Sequence, residues 1–424
     1  MEGNASKGQP KLPYVLVAVA VCLMACGSMG LNNAYGVFYT PMAEGLGVGR
    51  GSVTLHMSIS SLGIGLFTPL VSWSLAHGHR MRNIMLVGMA LMLASGVTIA
   101  FAPTPEIMNA AGVVRGIGYA AASMLVITLY IGNWFERGRG TLTGLALSGS
   151  GIGSAIASPI MTSCIESLGY RNAYLGFVAF TLLTIAPVAL LCPLTPQEVG
   201  LEPYGASEGT GEQRQEANPG LGLKLKLLTP TFFALATFVV CICMVTTLSG
   251  HMSSLAQDYG YSAQVGALLL SACMVGNVAS KFALGAIADR LGVFAAIVCS
   301  MVTTTCGLAL VLLNLGGQTA LLASGFLYGT CFSVGSLGAS LLTRHLYGDA
   351  LYADAYSVVS VFSSVSSALG VTLAGFAYDL SGSYATTIIA GLALMATAAA
   401  CLAYLRQRVN ARPWERMRAR GQAE

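Results

Sequence analysis

Twelve apolar stretches recur along the chain, at roughly 14–39, 53–76, 84–102, 107–131, 141–163, 172–193, 231–254, 264–288, 291–314, 319–342, 354–377 and 384–405. A helix rises about 1.5 Å per residue, so each stretch is long enough to cross a hydrocarbon core of about 30 Å. Lipid offers the backbone no hydrogen-bond partners, so such stretches must satisfy their own amides as helices. Composition points the same way. The 424 residues are 55% hydrophobic and 9% charged, against about 25% charged in soluble domains. The predicted fold class is therefore an all-α membrane protein of twelve transmembrane helices. The 11 cysteines are scattered through apolar runs with no metal-binding spacing, and read as small buried hydrophobes.

The polar segments between these stretches set the expected organisation: a tail over 1–13, a first bundle over 14–193, a linker over 194–229, a second bundle over 230–405 and a basic tail over 406–424. The linker is rich in Pro, Gly and Glu, a composition suited to a flexible connector. With the N-terminus placed in the cytoplasm, 17 of the 21 Lys and Arg residues fall on the inner side, and Arg50 and Arg171 fall outside. Both termini are thus expected to be cytoplasmic, and the tail and first span to act as an uncleaved insertion signal. The net charge of +4 is a product of this topology and gives no reason to invoke nucleic acid.

Shifting the chain by 213 residues overlays its halves: Gly112 and Gly116 fall on Gly325 and Gly329, and Ser72 falls on Gly285. One offset serving several span pairs predicts two pseudo-symmetric six-helix bundles related in parallel, with a site near the midplane.

Two cations remain inside the membrane. Lys281 lies in a run of about 25 apolar and small residues, with Asn277 one turn earlier. A lone ammonium there costs about 2.5–3.5 kcal/mol on the lenient insertion scale. Snorkelling to the inner interface would need a reach of roughly 12 Å. The functional reading is a substrate anion beside Lys281; the alternatives are a structural or pKa-switch role for Lys281 and, for Asn277, an ordinary interhelical hydrogen bond. Arg115 could offer bidentate donation to a carboxylate, or could bond backbone carbonyls of a neighbouring helix. The offset pairs Arg115 with Tyr328 and Lys281 with Thr68, so a requirement shared by both halves does not account for the charges. No Asp or Glu falls deep within a span. His56 and His251, near outer span ends, are candidates for proton coupling or plain interfacial polar residues. Tyr130, Trp73 and Trp134 are expected as headgroup anchors. The GSGIGSAIAS run is expected to allow close helix packing.

Several of these stretches resemble the major facilitator superfamily, and within it the monocarboxylate transporter and oxalate:formate antiporter branch. Asn133–Pro159 (NWFERGRGTLTGLALSGSGIGSAIASP) is similar to that branch's loop and fifth helix, and Gly30–Met42 (GLNNAYGVFYTPM) to its first helix. Pro196–Pro203 (PQEVGLEP), His251–Ser262 (HMSSLAQDYGYS) and Gly285–Arg290 (GAIADR) resemble further pieces in the same order. Arg115–Tyr119 loosely matches a helix 4 motif of the superfamily. The resemblance implies the twelve-helix fold and places Tyr35, Tyr119 and Tyr328 on helices that line the pathway. Two departures stand out. The monocarboxylate transporters carry an Asp and an Arg where this chain has Asn277 and Lys281. The antiporter adds a lysine on helix 11, where this chain has no cation.

The resulting expectation is a secondary carrier of small organic anions, mono- or short dicarboxylates, working by alternating access and exchange. Proton-coupled symport of a monocarboxylate is the alternative, with an exporter of cationic compounds or a transport-dead sensor further behind. The candidate binding residues are Lys281, Arg115, Asn277, Tyr35, Tyr119 and Tyr328. No catalytic residue, metal or cofactor is expected, and the partners are the substrate, the lipid bilayer and, for symport, protons, with the chain a monomer in a cell membrane.

Overall fold

A computed structural model of the chain describes residues 11–77, 80–122, 124–136, 139–191, 193, 195–205, 229–314 and 316–410. The expectations for most of the N-terminal tail, for Arg137 and Arg214, for the linker beyond residue 205 and for the tail beyond 410 lie outside the described residues.

Apart from one isolated bridge between Phe135 and Tyr204, the described residues form helices and turns. Ten helices are long and apolar enough to cross a membrane. One of them, Leu142–Leu190, has 49 residues and turns at Gly169, whose φ of 77° leaves the helical region. A positive φ suits glycine, which has no Cβ to clash. The expected fourth span is missing from the ten because it is broken into Pro105–Ala120 and Met124–Trp134.

The chain divides into two units, Met1–Val48 with Ser52–Gln213, and Gly49–Gly51 with Arg214–Glu424. Several local features of one recur in the other at the offset read from the sequence. The first long helix of each unit tightens into a 3₁₀ turn at the same place, Tyr35–Phe38 in one and Leu248–His251 in the other. The glycine pairs also match. A Cβ on Gly112 would press on His56 and one on Gly116 on Ser60; in the second unit, Gly325 meets Leu269 and Gly329 meets Cys273. Each pair lies 213 residues from its counterpart. Small residues let helix backbones approach closely where lipid supplies no hydrophobic drive for association. The GSGIGSAIAS run behaves as expected: Gly149 and Gly153 pack directly on Cys26.

The start of the linker is built rather than loose. Pro196–Val199 forms a 3₁₀ turn, Gly200 takes a φ of 70°, and Tyr204 exchanges backbone hydrogen bonds with Trp134 and Glu136 at 2.8 and 3.0 Å. Tyr14, Trp134, Phe135 and Tyr204 cluster in edge-to-face and tilted pairs, with ring centroids 5.3–6.3 Å apart. This corrects the reading of Tyr130 and Trp134 as headgroup anchors: both are buried, and both donate to the Pro193 carbonyl, at 2.6 and 3.0 Å. Trp73 is 57% exposed, as an anchor requires.

Candidate functional site

Ser262 starts the helix Ala263–Leu291 by accepting a hydrogen bond from the Val265 amide, and Gly292 ends it with a φ of 86°. Leu269, Leu270, Cys273, Asn277, Ser280 and Leu284 mark its buried face. Asn277 sits where Gly329 of the neighbouring helix comes close, and only 1% of it is exposed. Its amide nitrogen reaches Met274 Sδ at 3.9 Å, while its carbonyl oxygen has no hydrogen-bond partner. An unfilled buried acceptor of this kind costs about 1–3 kcal/mol. One turn on, Lys281 is half-buried and, among the described residues, has neither a hydrogen bond nor an ion pair. The turn from Asn277 to Lys281 thus carries an acceptor and a cation whose polar demands the unit leaves unmet.

Tyr328 is fully buried, and its hydroxyl donates to the Val245 and Thr246 carbonyls at 2.6 and 3.2 Å. Those carbonyls lie at the end of the helix Pro230–Thr247, just before its 3₁₀ turn, where the Leu248 amide also donates to them. His251 is fully buried nearby: Nε2 lies 2.9 Å from the Val371 carbonyl and Nδ1 lies 3.1 Å from the Tyr384 hydroxyl. The ring donates through Nε2 to that carbonyl, and both of its nitrogens are engaged.

The first unit gathers the remaining candidates into one cluster. Arg115 is 3% exposed. Its guanidinium donates to Ser60 Oγ at 3.0 Å and Asn32 Oδ1 at 2.7 Å, and lies 4.4 Å from the Tyr119 ring centre and 5.3 Å from that of Tyr35. Tyr35 in turn reaches His56 Nε2 at 2.8 Å, and His56 Nδ1 contacts the Val53 carbonyl. His56, like His251, is engaged at both ring nitrogens. Asn32 and Val245 are 213 residues apart, as are Arg115 and Tyr328. In each unit, then, the same position of the fourth span reaches the same position of the first. The shared contact accounts for a long polar side chain at that place, though not for its charge.

The sequence brought Arg115, Tyr35, Tyr119 and His56 to notice singly; the structure joins them. It keeps Tyr328 and His251 on separate partners. Asn32, Ser60, Tyr384 and Tyr174, whose ring packs on that of Tyr35 with centroids 5.6 Å apart, were not anticipated. Asn32 lay within a quoted motif, whereas Tyr174 and Tyr384 are one aromatic among many in apolar spans and gave no signal.

Two internally repeated helical units with helices broken at matching positions define a membrane carrier. A sequence model of the Major Facilitator Superfamily matches residues 20–292 and 233–422. The chain belongs to that superfamily and is a multi-pass membrane transporter. It is 24% identical to monocarboxylate transporter 13 of Bos taurus over 389 residues, 90% of this chain and 87% of the relative. It is 25% identical to monocarboxylate transporter 11 of Homo sapiens over 89% of this chain and 79% of that one. An uncharacterized MFS-type transporter, YcxA of Bacillus subtilis, is 24% identical over 47% of each chain, so that match spans about half of either protein. Among solved structures, a mutant of the nucleoside transporter NupG superposes with a TM-score of 0.71 at 12% identity, covering 92% of this chain and 99% of the other. A bacterial homologue of the human lysosomal transporter Spinster, inward-facing and occupied, gives 0.67 at 14% identity, covering 94% and 97%. These two likenesses show the fold.

Proposed function

We propose that the chain carries small organic anions, mono- or short dicarboxylates, across a cell membrane by exchange. The observation that carries the reading is Lys281: a cation within an apolar span, without a partner among the described residues, one turn from an unfilled Asn277 oxygen. A substrate carboxylate would neutralise the ammonium, and a donor on the substrate or the ammonium itself would fill the oxygen. Arg115, Tyr35, Tyr119 and Tyr328 already have protein partners, so the proposal rests on Lys281 and Asn277. Relatives named as monocarboxylate transporters support the substrate class.

Exchange follows from the cost of returning an unloaded site. The bare charge of Lys281 would have to cross an apolar constriction, whereas a loaded site crosses nearly neutral. Asn277 cannot take up a proton at ordinary pH, and His56 and His251 are each engaged at both ring nitrogens. The relatives' names favour a second reading, proton-linked symport, in which Lys281 itself would give up its proton. Proteoliposomes loaded with radiolabelled carboxylate decide between them. Efflux should be at least about tenfold faster into buffer containing unlabelled substrate than into buffer without it. Equal rates accompanied by proton flux would establish symport instead.

The Lys and Arg distribution supports cytoplasmic termini. Single cysteines at positions 50 and 171 should react with an impermeant maleimide on intact cells, and those at 137 and 214 should not. Labelling at 214 would reverse the orientation.

A further inference from the structure

The first and fourth spans are tied together at two levels. At one, Arg115 donates to Asn32 Oδ1 at 2.7 Å, and its guanidinium lies 5.3 Å from the centre of the Tyr35 ring. At the other, the chain that follows the sixth span folds back over their ends. Tyr14 donates to the Glu202 carbonyl at 2.6 Å, the Tyr204 amide to the Trp134 carbonyl at 2.8 Å, and the Glu136 amide to the Tyr204 carbonyl at 3.0 Å. Tyr130 and Trp134 both donate to the Pro193 carbonyl. The Tyr14 ring lies 5.8 Å from that of Trp134 and 5.3 Å from that of Tyr204, so the three side chains close on one another.

Between these levels both spans depart from regular α-helix. The first widens into a π turn at Cys26–Gly30, and the fourth breaks after Ala120. The next amides of the fourth, Ala121 and Ala122, bond three residues back instead of four, at 3.2 and 3.1 Å. The sixth span, which leads into the folded-back segment, also ends in a π turn, at Pro187–Leu191. Such turns are where a helix bends most readily. Firm ties at two levels with compliant turns between them are the layout of a hinge.

We infer that residues 196–204 form a strap that makes the ends of the first and fourth spans, Lys11–Ala25 and Met124–Trp134, swing as one body about these turns. Side-chain packing alone would hold the two ends weakly against sliding, because apolar contact is non-directional. The strap adds hydrogen bonds to backbone groups of both ends, and these fix direction as well as distance. The inference concerns movement inside the first unit, and it depends neither on Lys281 nor on which anion the protein carries.

Hydrogen–deuterium exchange on the full-length protein in detergent tests this without any substrate. Tyr204→Pro removes the amide that bonds Trp134 and the ring that packs on Tyr14. Exchange should then quicken about tenfold in both Lys11–Ala25 and Met124–Trp134, and stay unchanged in residues 32–38 and 105–119. The opposite variant, Phe135→Cys with Tyr204→Cys, joins the one pair of residues whose backbones bridge. Paired backbones lie about 4.8 Å apart, within disulfide range. The oxidised pair should exchange more slowly than its reduced form in both ends together, with oxidised wild type as the control; it also serves if Tyr204→Pro does not fold. A change confined to one of the two ends, or spread equally over residues 32–38 and 105–119, would overturn the proposal. So would rates unchanged in both variants, or failure of the cysteine pair to bridge.

Discussion

Replacing Lys281 with glutamine is expected to abolish anion transport while leaving a protein at least as stable as the wild type. The two effects have opposite signs for one reason. In the apo protein the ammonium is a burden, an unpartnered charge in an apolar span that costs about 2.5–3.5 kcal/mol. With substrate bound it becomes one half of an ion pair, and truncating one member of such a pair costs about 2–5 kcal/mol of binding. That is a loss of about thirty-fold or more in affinity. The measurements are proteoliposome uptake at several substrate concentrations and thermal unfolding by size-exclusion chromatography. Lys281→Arg should retain partial uptake, since the charge persists with a different donor geometry. Wild-type uptake by the glutamine variant would remove Lys281 from the mechanism. A variant that neither transports nor folds would point to a structural lysine.

The second large effect is expected at Gly329. A Cβ there would overlap the Cys273 carbonyl, and one at Gly276 would overlap the Phe326 carbonyl. The obstructing atoms are helix backbone, so relief requires the helices to separate rather than a side chain to rotate. Overpacking of this kind costs about 1–3 kcal/mol and occasionally more, and it falls on the helix that carries Asn277 and Lys281. Gly329→Ala and Gly276→Ala should each lose most of the monodisperse protein recovered from membranes. Gly144 and Gly176 have no atom within 4 Å of a built Cβ, and alanine at either should give wild-type yield. Normal recovery of Gly329→Ala would mean that this crossing is looser than the structure has it.

Much of the scaffold could be read from the sequence because lipid makes the rules simple: long apolar runs, charges at their ends, and small residues where helices cross. The offset that aligned Gly112 with Gly325 and Gly116 with Gly329 recurs in the structure as two equivalent crossings. The sites were harder to read. Inside a membrane nearly every face of a helix is apolar, so the pattern that marks a buried face in a soluble protein is lost. Nothing in the sequence says that Arg115 turns toward Asn32 and Ser60 rather than toward a pathway. Trp134 was misread for a related reason. An aromatic at the end of a span suits a headgroup region equally well as a protein contact, and the segment that covers it, Pro196–Tyr204, comes some sixty residues later. Lys281 was legible because a single charge in an apolar run is conspicuous whichever way it faces.

The 3₁₀ turns also alter how positions along a span are to be compared. A 3₁₀ turn advances about 120° per residue where an α-helix advances about 100°, so four residues swing the downstream helix by about 80°. In the seventh span, nothing else irregular intervenes between Pro230 and Thr247, and the outer segment from Met252 onward keeps that swing. The first span is different. Its wide turn at Cys26–Gly30 winds the chain back before the tight turn at Tyr35–Phe38 winds it forward. The two errors oppose one another, and the short piece Leu31–Ala34 between them is left rotated against both its flanks. Asn32 lies in that piece. A helical wheel drawn through the whole span therefore misplaces Asn32 by nearly a quarter turn, and scanning data along it should be plotted as three short helices with separate phases.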